Sequence, residues 1–245
     1  MTDSLQLYRS QEHSCPYLPG QQAITHFVDP AATLNTEVYN RLLTHGFRRS
    51  GSHIYKPHCT SCQACIPMRL PAAKFKPNRS QRRVWAKNSD HLLVNAKPAE
   101  FQKEHFELYC RYLKSRHPDG EMADPSPESY LNFLTASWCK TKFFEFHIAE
   151  KLTAIAVTDV LPKGLSAVYT FFDPELAHLS PGVLAVLWQM HEARQQGLPW
   201  LYLGYWVPNC TKMNYKSNYR PLQIHSHDQW REFGQNEEIR VPEIY

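Results

Sequence analysis

Phe143-Phe144-Glu145-Phe146-His147-Ile148-Ala149, Thr153-Ala154-Ile155-Ala156-Val157-Thr158-Asp159-Val160-Leu161 and Leu165-Ser166-Ala167-Val168-Tyr169-Thr170-Phe171-Phe172 follow one another closely. All three runs are rich in β-branched and aromatic residues and read as strands. Lys151-Leu152 and Pro162-Lys163-Gly164 stand where tight turns belong. A helix is predicted next, from about Gly182 to Gln196 with Gly197 as its stop. The apolar run from Pro199 to Tyr205 is a further strand. Toward the N-terminus, Ser126-Pro127 opens a helix that runs to about Trp138. From Pro98 to His117, the residues Phe101, Leu108, Tyr109, Tyr112 and Leu113 share one helical face. An antiparallel meander followed by a crossover helix and one more strand predicts an α+β fold with a mixed α/β sheet.

Further toward the N-terminus, Tyr39, Leu42 and Leu43 suggest a short helix stopped by Gly46, and Phe47 to Tyr55 reads as a hairpin around Ser50-Gly51-Ser52. Between Val38 and Ser89 there is no Asp or Glu, yet there are eleven Lys and Arg residues; the other 193 residues carry sixteen basic and all 23 acidic side chains. Such segregation is the footprint of a polyanion partner. Three regions are expected: a Cys-containing part at 1–70, a basic connector at 71–97, and a structured region at 98–245. No apolar run approaches the ~20 residues of a membrane span, and no secretory signal opens the chain, so a cytoplasmic protein with no membrane partner is expected. Seven cysteines in such a chain read as thiols or metal ligands rather than disulfides.

Four constellations could carry chemistry. Cys59, Cys62 and Cys65 are spaced so that thiolates can converge, and Cys15 could supply a fourth ligand. A zinc ion, an iron–sulfur cluster and free thiols all fit that spacing. Basic surroundings are expected to lower the thiol pKa values. Lys74-Phe75-Lys76-Pro77-Asn78-Arg79-Ser80-Gln81-Arg82-Arg83 suits either a nucleic-acid backbone or a carboxylate. Tyr202-Leu203-Gly204-Tyr205-Trp206, followed by Lys212, Tyr215 and Lys216, places aromatics and lysines at a strand end, where α/β sheets bind ligands. Asp159, inside an apolar strand, must be hydrogen-bonded or functional. No hydrolase triad pattern is present.

The order of elements also occurs in the acetyltransferase superfamily. There, a Gly-rich loop cradles a coenzyme pyrophosphate at a helix N-terminus. The matching segment here, Asp173 to Gly182, has one glycine, two prolines and two acids, so the fold is expected without the coenzyme.

Cys15-Pro16-Tyr17-Leu18-Pro19-Gly20, Gly46-Phe47-Arg48-Arg49-Ser50-Gly51, Cys59 to Cys65, Phe75 to Arg83, Val157 to Pro162, Leu165 to Pro174 and Tyr202 to Tyr219 together resemble the bacterial aspartate/glutamate leucyltransferases. These are relatives of the arginyl-tRNA–protein transferases, and the likeness covers almost the whole chain. One departure is Ser180-Pro181-Gly182, where the family pattern suggests Ser-Leu-Gly.

The resemblance implies an acetyltransferase-like core with a small Cys-bearing N-terminal part. It also implies an aminoacyltransferase that moves leucine from Leu-tRNA to the N-terminal α-amine of proteins beginning with Asp or Glu. The added leucine marks those proteins for degradation. No cofactor is expected to be required for catalysis. Arginyl transfer and a non-catalytic, metal-containing RNA-binding protein are the alternatives. On this reading Asp159 and Tyr169 position the incoming amine. Tyr202, Tyr205, Trp206, Lys212, Tyr215, Lys216, Arg82 and Arg83 bind aminoacyl-tRNA, with Tyr205 and Trp206 stacking its terminal adenosine. Arg48, Arg49 and Arg79 hold the acceptor's acidic group. Val168 and Phe171 line a leucyl pocket, and Cys15, Cys59, Cys62 and Cys65 are the metal-ligand set.

Overall fold

The structure, a computed structural model, describes residues 5–116 and 124–239. The chain begins with short strands β1 (Leu7–Arg9), β2 (His13–Ser14), β3 (Gln22–Ala23) and β4 (Thr25–Val28), then helix α1 (Thr36–Thr44), then the hairpin β5 (Arg48–Ser50) and β6 (His53–Pro57). Next come β7 (Ile66–Pro71), α2 (Arg79–Asn88), β8 (Leu92–Pro98), α3 (Lys103–Arg116) and α4 (Pro127–Leu134). The C-terminal half holds β9 (Thr141–Ile148), β10 (Lys151–Leu161), β11 (Gly164–Phe172), α5 (Pro181–Gln195), β12 (Trp200–Trp206), β13 (Leu222–Ser226) and β14 (Gln229–Phe233).

Eight strands form one mixed sheet in the order β14-β13-β7-β12-β11-β10-β9-β8, and a four-stranded sheet, β1-β4-β6-β5, lies in the N-terminal part. In the large sheet only β11 and β12 are parallel. That pairing is what a crossover through α5 produces. β10 is buried on both faces, and its side chains alternate. Ile155 and Val157 pack with Tyr109, Leu113 and Tyr130 of α3 and α4, whereas Ala154 and Ala156 pack with Leu184 and Ala185 of α5.

Local signals set the helix starts. Asn78 accepts from the Gln81 amide while Gln81 Oε1 accepts from the Asn78 amide, a capping box that opens α2. Ser126 and Ser129 do the same for α4, with Pro127 in its first turn. Ser180-Pro181-Gly182 is a helix entry: Ser180 is left-handed at φ 56° and Pro181 begins α5. The end expected for α3 at His117 lies outside the described residues.

Two sequence expectations change. The segment 71–97 is not a bare connector, because α2 packs on α5 and β8 closes one edge of the large sheet. The expected boundary near residue 70 falls inside β7, which lies between β12 and β13. β12 is therefore an interior strand, and its residues from Leu201 to Trp206 are buried.

Candidate active site

β11 and β12 pair only at Gly164↔Trp200, Leu165↔Leu201 and Ser166↔Tyr202, and then separate. Each strand carries an irregularity at that level. Opposite β10, the register steps from Val157↔Tyr169 to Thr158↔Ala167, leaving Val168 as an extra residue on β11. Opposite β7, it steps from Tyr202↔Arg69 to Gly204↔Met68, leaving Leu203 extra on β12. Bulges bend a strand and sharpen its twist, and here they accompany a wedge where the pairing of the two parallel neighbours ends.

Arg48 of β5 fills the base of that wedge. Its Nη1 donates to Ser166 Oγ at 3.0 Å and its Nη2 to the Ala167 carbonyl at 2.7 Å. The second bond supplies a donor on the side from which β12 has departed. The guanidinium lies against Gly204, where a Cβ would stand 3.3 Å from Nε and 3.4 Å from both Cζ and Nη2; φ there is +78°. Both the backbone angle and the approach favour glycine.

Lys216, from the short helical turn Asn214–Asn218, enters the same place. Its Nζ donates to the Tyr205 carbonyl at 2.6 Å. Burial, followed by the Arg48 charge, brings the Lys216 ammonium down to about 7. Tyr205 donates its hydroxyl to the Gly46 carbonyl at 2.9 Å, and its ring lies 6.0 Å from that of Tyr55.

Arg49, the next residue of β5, meets a different environment. Its Nε and Nη2 grip Asp159 Oδ2 and Oδ1 at 2.7 and 2.6 Å. Thr141 Oγ1 donates to Asp159 Oδ1 at 2.8 Å, and Arg49 also donates to the Gly51 and Leu134 carbonyls. Both side chains of the ion pair have zero exposure.

These positions revise the expected site residues. Asp159 is committed to Arg49 and is not placed to position an amine; Arg49 is equally committed and is not placed to read an acceptor. Tyr205 and Trp206 are buried, as is Tyr202, so none presents a free face for an adenine. Lys216 is buried too and is not a surface phosphate contact. Phe171 belongs to the core with Tyr109 and Tyr130, whereas Val168 is half-buried at the bulge. Tyr169 is half-buried and packs its ring on Phe133, Tyr109 and Tyr112. Arg79, Arg82, Arg83 and Lys212 are exposed, and so is Tyr215. Tyr215 keeps an exposed ring, while desolvation of its hydroxyl and the neighbouring Tyr112 of α3 push that hydroxyl up to about 12.

Ser166 and Gly204, which hold and flank the Arg48 guanidinium, are positions that residue-type reasoning passed over. The signal for Gly204 was present: a glycine in the middle of an aromatic strand marks a bulge or a close approach.

Cys15, Cys59, Cys62 and Cys65 are half-buried free thiols lining one cavity of about 730 Å³ with Tyr17 and Tyr55. Burial, then the nearby thiols of Cys59, Cys15 and Cys62, push Cys65 up to about 12, opposite to the lowering expected from basic surroundings. Among the described residues no three His, Cys, Asp or Glu side chains are arranged to hold a metal ion. All four cysteines of the expected ligand set nevertheless line this one cavity, and the reaction proposed below uses none of them.

Comparison with known proteins finds likenesses over most of the chain. Residues 13–83 match the family model described as arginine-tRNA-protein transferase, N terminus, and residues 104–226 match the one for its C terminus. An aspartate/glutamate leucyltransferase of Hahella chejuensis is 51% identical over 93% of this chain and 97% of its own. One from Pseudomonas putida (strain W619) is 49% identical over 92% of this chain and 96% of its own. Among solved structures, L-PGS from Bacillus licheniformis aligns with 73% of this chain and 62% of its own, at 12% identity and a TM-score of 0.47. The chain belongs to the arginine-tRNA-protein transferase family.

Proposed function

We propose that this transferase moves leucine from Leu-tRNA to the N-terminal α-amine of proteins beginning with Asp or Glu, and that the added leucine marks them for degradation. The observation that carries this reading is identity of about one half, over nine-tenths of the chain, to aspartate/glutamate leucyltransferases.

The chemistry suits the wedge. The donor is an ester and the product an amide. The nucleophile is an α-amine with an ordinary pKa of about 7.7–8.0, partly free at neutral pH. Attack forms the C–N bond and expels the ribose hydroxyl of the tRNA, and the amine proton leaves with that hydroxyl or through water. Such a reaction calls for orientation and for donors aimed at the developing oxyanion rather than for a strong base. Past Ser166, β11 has no strand partner on the β12 side, and its backbone N–H groups there are the donors we assign to that oxyanion. We read the core as acetyltransferase-like, with substrates meeting where the two parallel strands diverge. An acyl-coenzyme role has little support at α5: Pro181 lacks an N–H, and those of Val183 and Leu184 are given to the Ser180 carbonyl.

The outer face of α2, with Arg79, Arg82, Arg83 and Lys87 exposed and no acid in the helix, is the surface we assign to the tRNA backbone. Tyr215 is the exposed aromatic suited to stack the terminal base. Among the described residues no helix is long and apolar enough to cross a membrane, and cytoplasmic work on tRNA and protein N-termini follows from the reaction.

One assay tests the whole reading. The protein is incubated with radiolabelled Leu-tRNA or Arg-tRNA and peptides that begin with Asp, Glu or Asn. Label should pass from Leu-tRNA to the Asp and Glu peptides. Label from Arg-tRNA alone would show arginyl transfer, and label from neither would leave an RNA-binding protein without catalysis.

A further inference from the structure

We infer that Arg48 and Lys216 form the recess that reads the acidic side chain of the acceptor's first residue, an inference that rests on the leucyl-transfer reading above. Both are buried, at 7% and 8% exposure, and both stand at the base of the wedge. The partners found for them are neutral oxygens: Ser166 Oγ and the Ala167 carbonyl for Arg48, and the Tyr205 carbonyl for Lys216. Among the described residues neither forms an ion pair with a carboxylate.

A buried cation without a counter-charge is costly, and two side by side more so. The same protein shows two ways of settling such a charge. Arg49 is neutralised by Asp159. Arg69 is clasped between Trp200 and Trp230, with its guanidinium carbon 3.7 and 4.1 Å from the ring centres. Arg48 and Lys216 have neither a carboxylate nor an aromatic face beneath the charge. The mutual effect of the pair agrees with this, since the Arg48 charge disfavours the ammonium of Lys216. A buried guanidinium beside a lysine that an incoming anion would fully protonate is complementary to a carboxylate, which two donors can grip from different directions.

Place decides which carboxylate. In an N-terminal Asp or Glu, the acid lies only a few bonds from the α-amine that attacks. Whatever reads the acid must therefore sit within a side chain's reach of the reaction centre, and this pair lies where β11 and β12 part. A tRNA backbone would instead meet the exposed basic face of α2. Arg49 is excluded by Asp159, and Arg79 lies outside on α2. Four methylenes give Lys216 the travel needed to meet either the shorter or the longer acid.

The test compares wild type with Lys216→Met and Lys216→Arg. Met keeps the length and removes a buried charge, so that variant should fold and melt no lower than wild type. Kinetics on Asp-, Glu- and Asn-initiated peptides should show Lys216→Met losing about tenfold or more in kcat/KM on the acidic peptides, mostly through KM. The ratio of kcat/KM on Asp over Asn peptides should fall toward one in Lys216→Met, while Lys216→Arg keeps that ratio. An Asp dipeptide amide should raise the melting temperature of wild type but not of Lys216→Met; an Asn dipeptide amide should raise neither. An Asp/Asn preference that survives in Lys216→Met overturns the inference, and a raised KM for Leu-tRNA with that preference intact reassigns the pair to a donor phosphate. If wild type transfers leucine to no peptide, the functional reading fails, and the dipeptide melting shift alone judges the recess.

Discussion

Arg48 and Arg49 are adjacent in sequence, belong to one short strand and are both buried, yet they lead to regions of opposite character. On the Arg49 side a carboxylate, a threonine hydroxyl and two carbonyls satisfy the guanidinium, and the α4 end, β9 and β10 are drawn together around it. On the Arg48 side the strands part, the charge is held by neutral oxygens, and a second cation stands nearby. Alternation along β5 sends successive side chains to opposite faces, so one dipeptide serves a closed structural region and an open, unneutralised one. Burial alone does not separate the two arginines; what differs is that Arg49 meets a carboxylate and Arg48 meets neither a carboxylate nor an aromatic face of the kind that holds Arg69.

The largest expected effect breaks the closed side. Asp159→Asn should cost about 3–5 kcal/mol in denaturant unfolding, because it leaves Arg49 buried without its anion. Arg48→Met should cost far less stability and should abolish the preference for acidic acceptors. Similar stability losses in the two variants would erase the distinction between the regions.

Titration sharpens the comparison next. Lys216 sits near 7 in the folded protein, below the 10.5 of an exposed lysine. Between those values the unfolded chain binds more protons than the folded one, so this group makes stability rise with pH through that window. The slope is at most about 1.4 kcal/mol per pH unit for one proton. Unfolding curves from pH 7 to 9.5 should show it in wild type, and Lys216→Met should flatten it.

Gly204→Ala tests the contact between the open side and β12. A positive φ alone costs an L-residue about 1–2 kcal/mol, and the methyl group would press on the Arg48 guanidinium. The variant should be modestly destabilised and should lose discrimination between Asp and Asn peptides. Retained discrimination would mean that the position of Arg48 does not matter.

The smallest effect is expected from Tyr205→Phe, which removes the hydroxyl bond to the Gly46 carbonyl, worth about 0.5–1.5 kcal/mol. Leu-tRNA affinity should not change, because the ring is buried. The double substitution Arg82→Ala with Arg83→Ala should instead lower the salt slope of tRNA binding by somewhat under one unit for each lost phosphate contact. A fall in Leu-tRNA affinity in Tyr205→Phe would bring that residue back into the donor site.

The meander β9–β11, helix α5 and strand β12 were legible because their periodicity is local, although the first turn lies at Ala149-Glu150, both with positive φ, and Lys151-Leu152 already belong to β10. Asp159 was legible as a demand: an acid in an apolar strand needs a partner. Its partner was not, since Arg49 lies 110 residues earlier and no local pattern encodes that pairing. The Tyr202–Trp206 aromatics were read as a ligand platform because they stand at the end of a strand, where α/β sheets bind ligands. β7 and β13 lie beyond that strand, and β7, Ile66-Pro67-Met68-Arg69-Leu70-Pro71, hides its strand character behind two prolines. Arg48 was named for the acceptor's acid through the family resemblance, but its grouping with Ser166 and Lys216 was out of reach, because that recess is assembled from segments that meet only in space.

The interior position of β7 also bears on how the molecule comes into being. Its neighbours in the finished sheet, β12 and β13, begin at Trp200 and Leu222, more than a hundred residues later in the chain. On the ribosome, Ile66–Pro71 emerges long before either neighbour exists and must wait with its backbone groups unpaired. Most of the other large-sheet pairings are between consecutive segments, such as β8 with β9 or β10 with β11. The meander can therefore condense early, while closure over β7 is a late step of high sequence separation and correspondingly slow. Until then an apolar segment stays open to mispairing, and chaperone demand should be greatest when synthesis has passed the meander but not yet delivered β12 and β13.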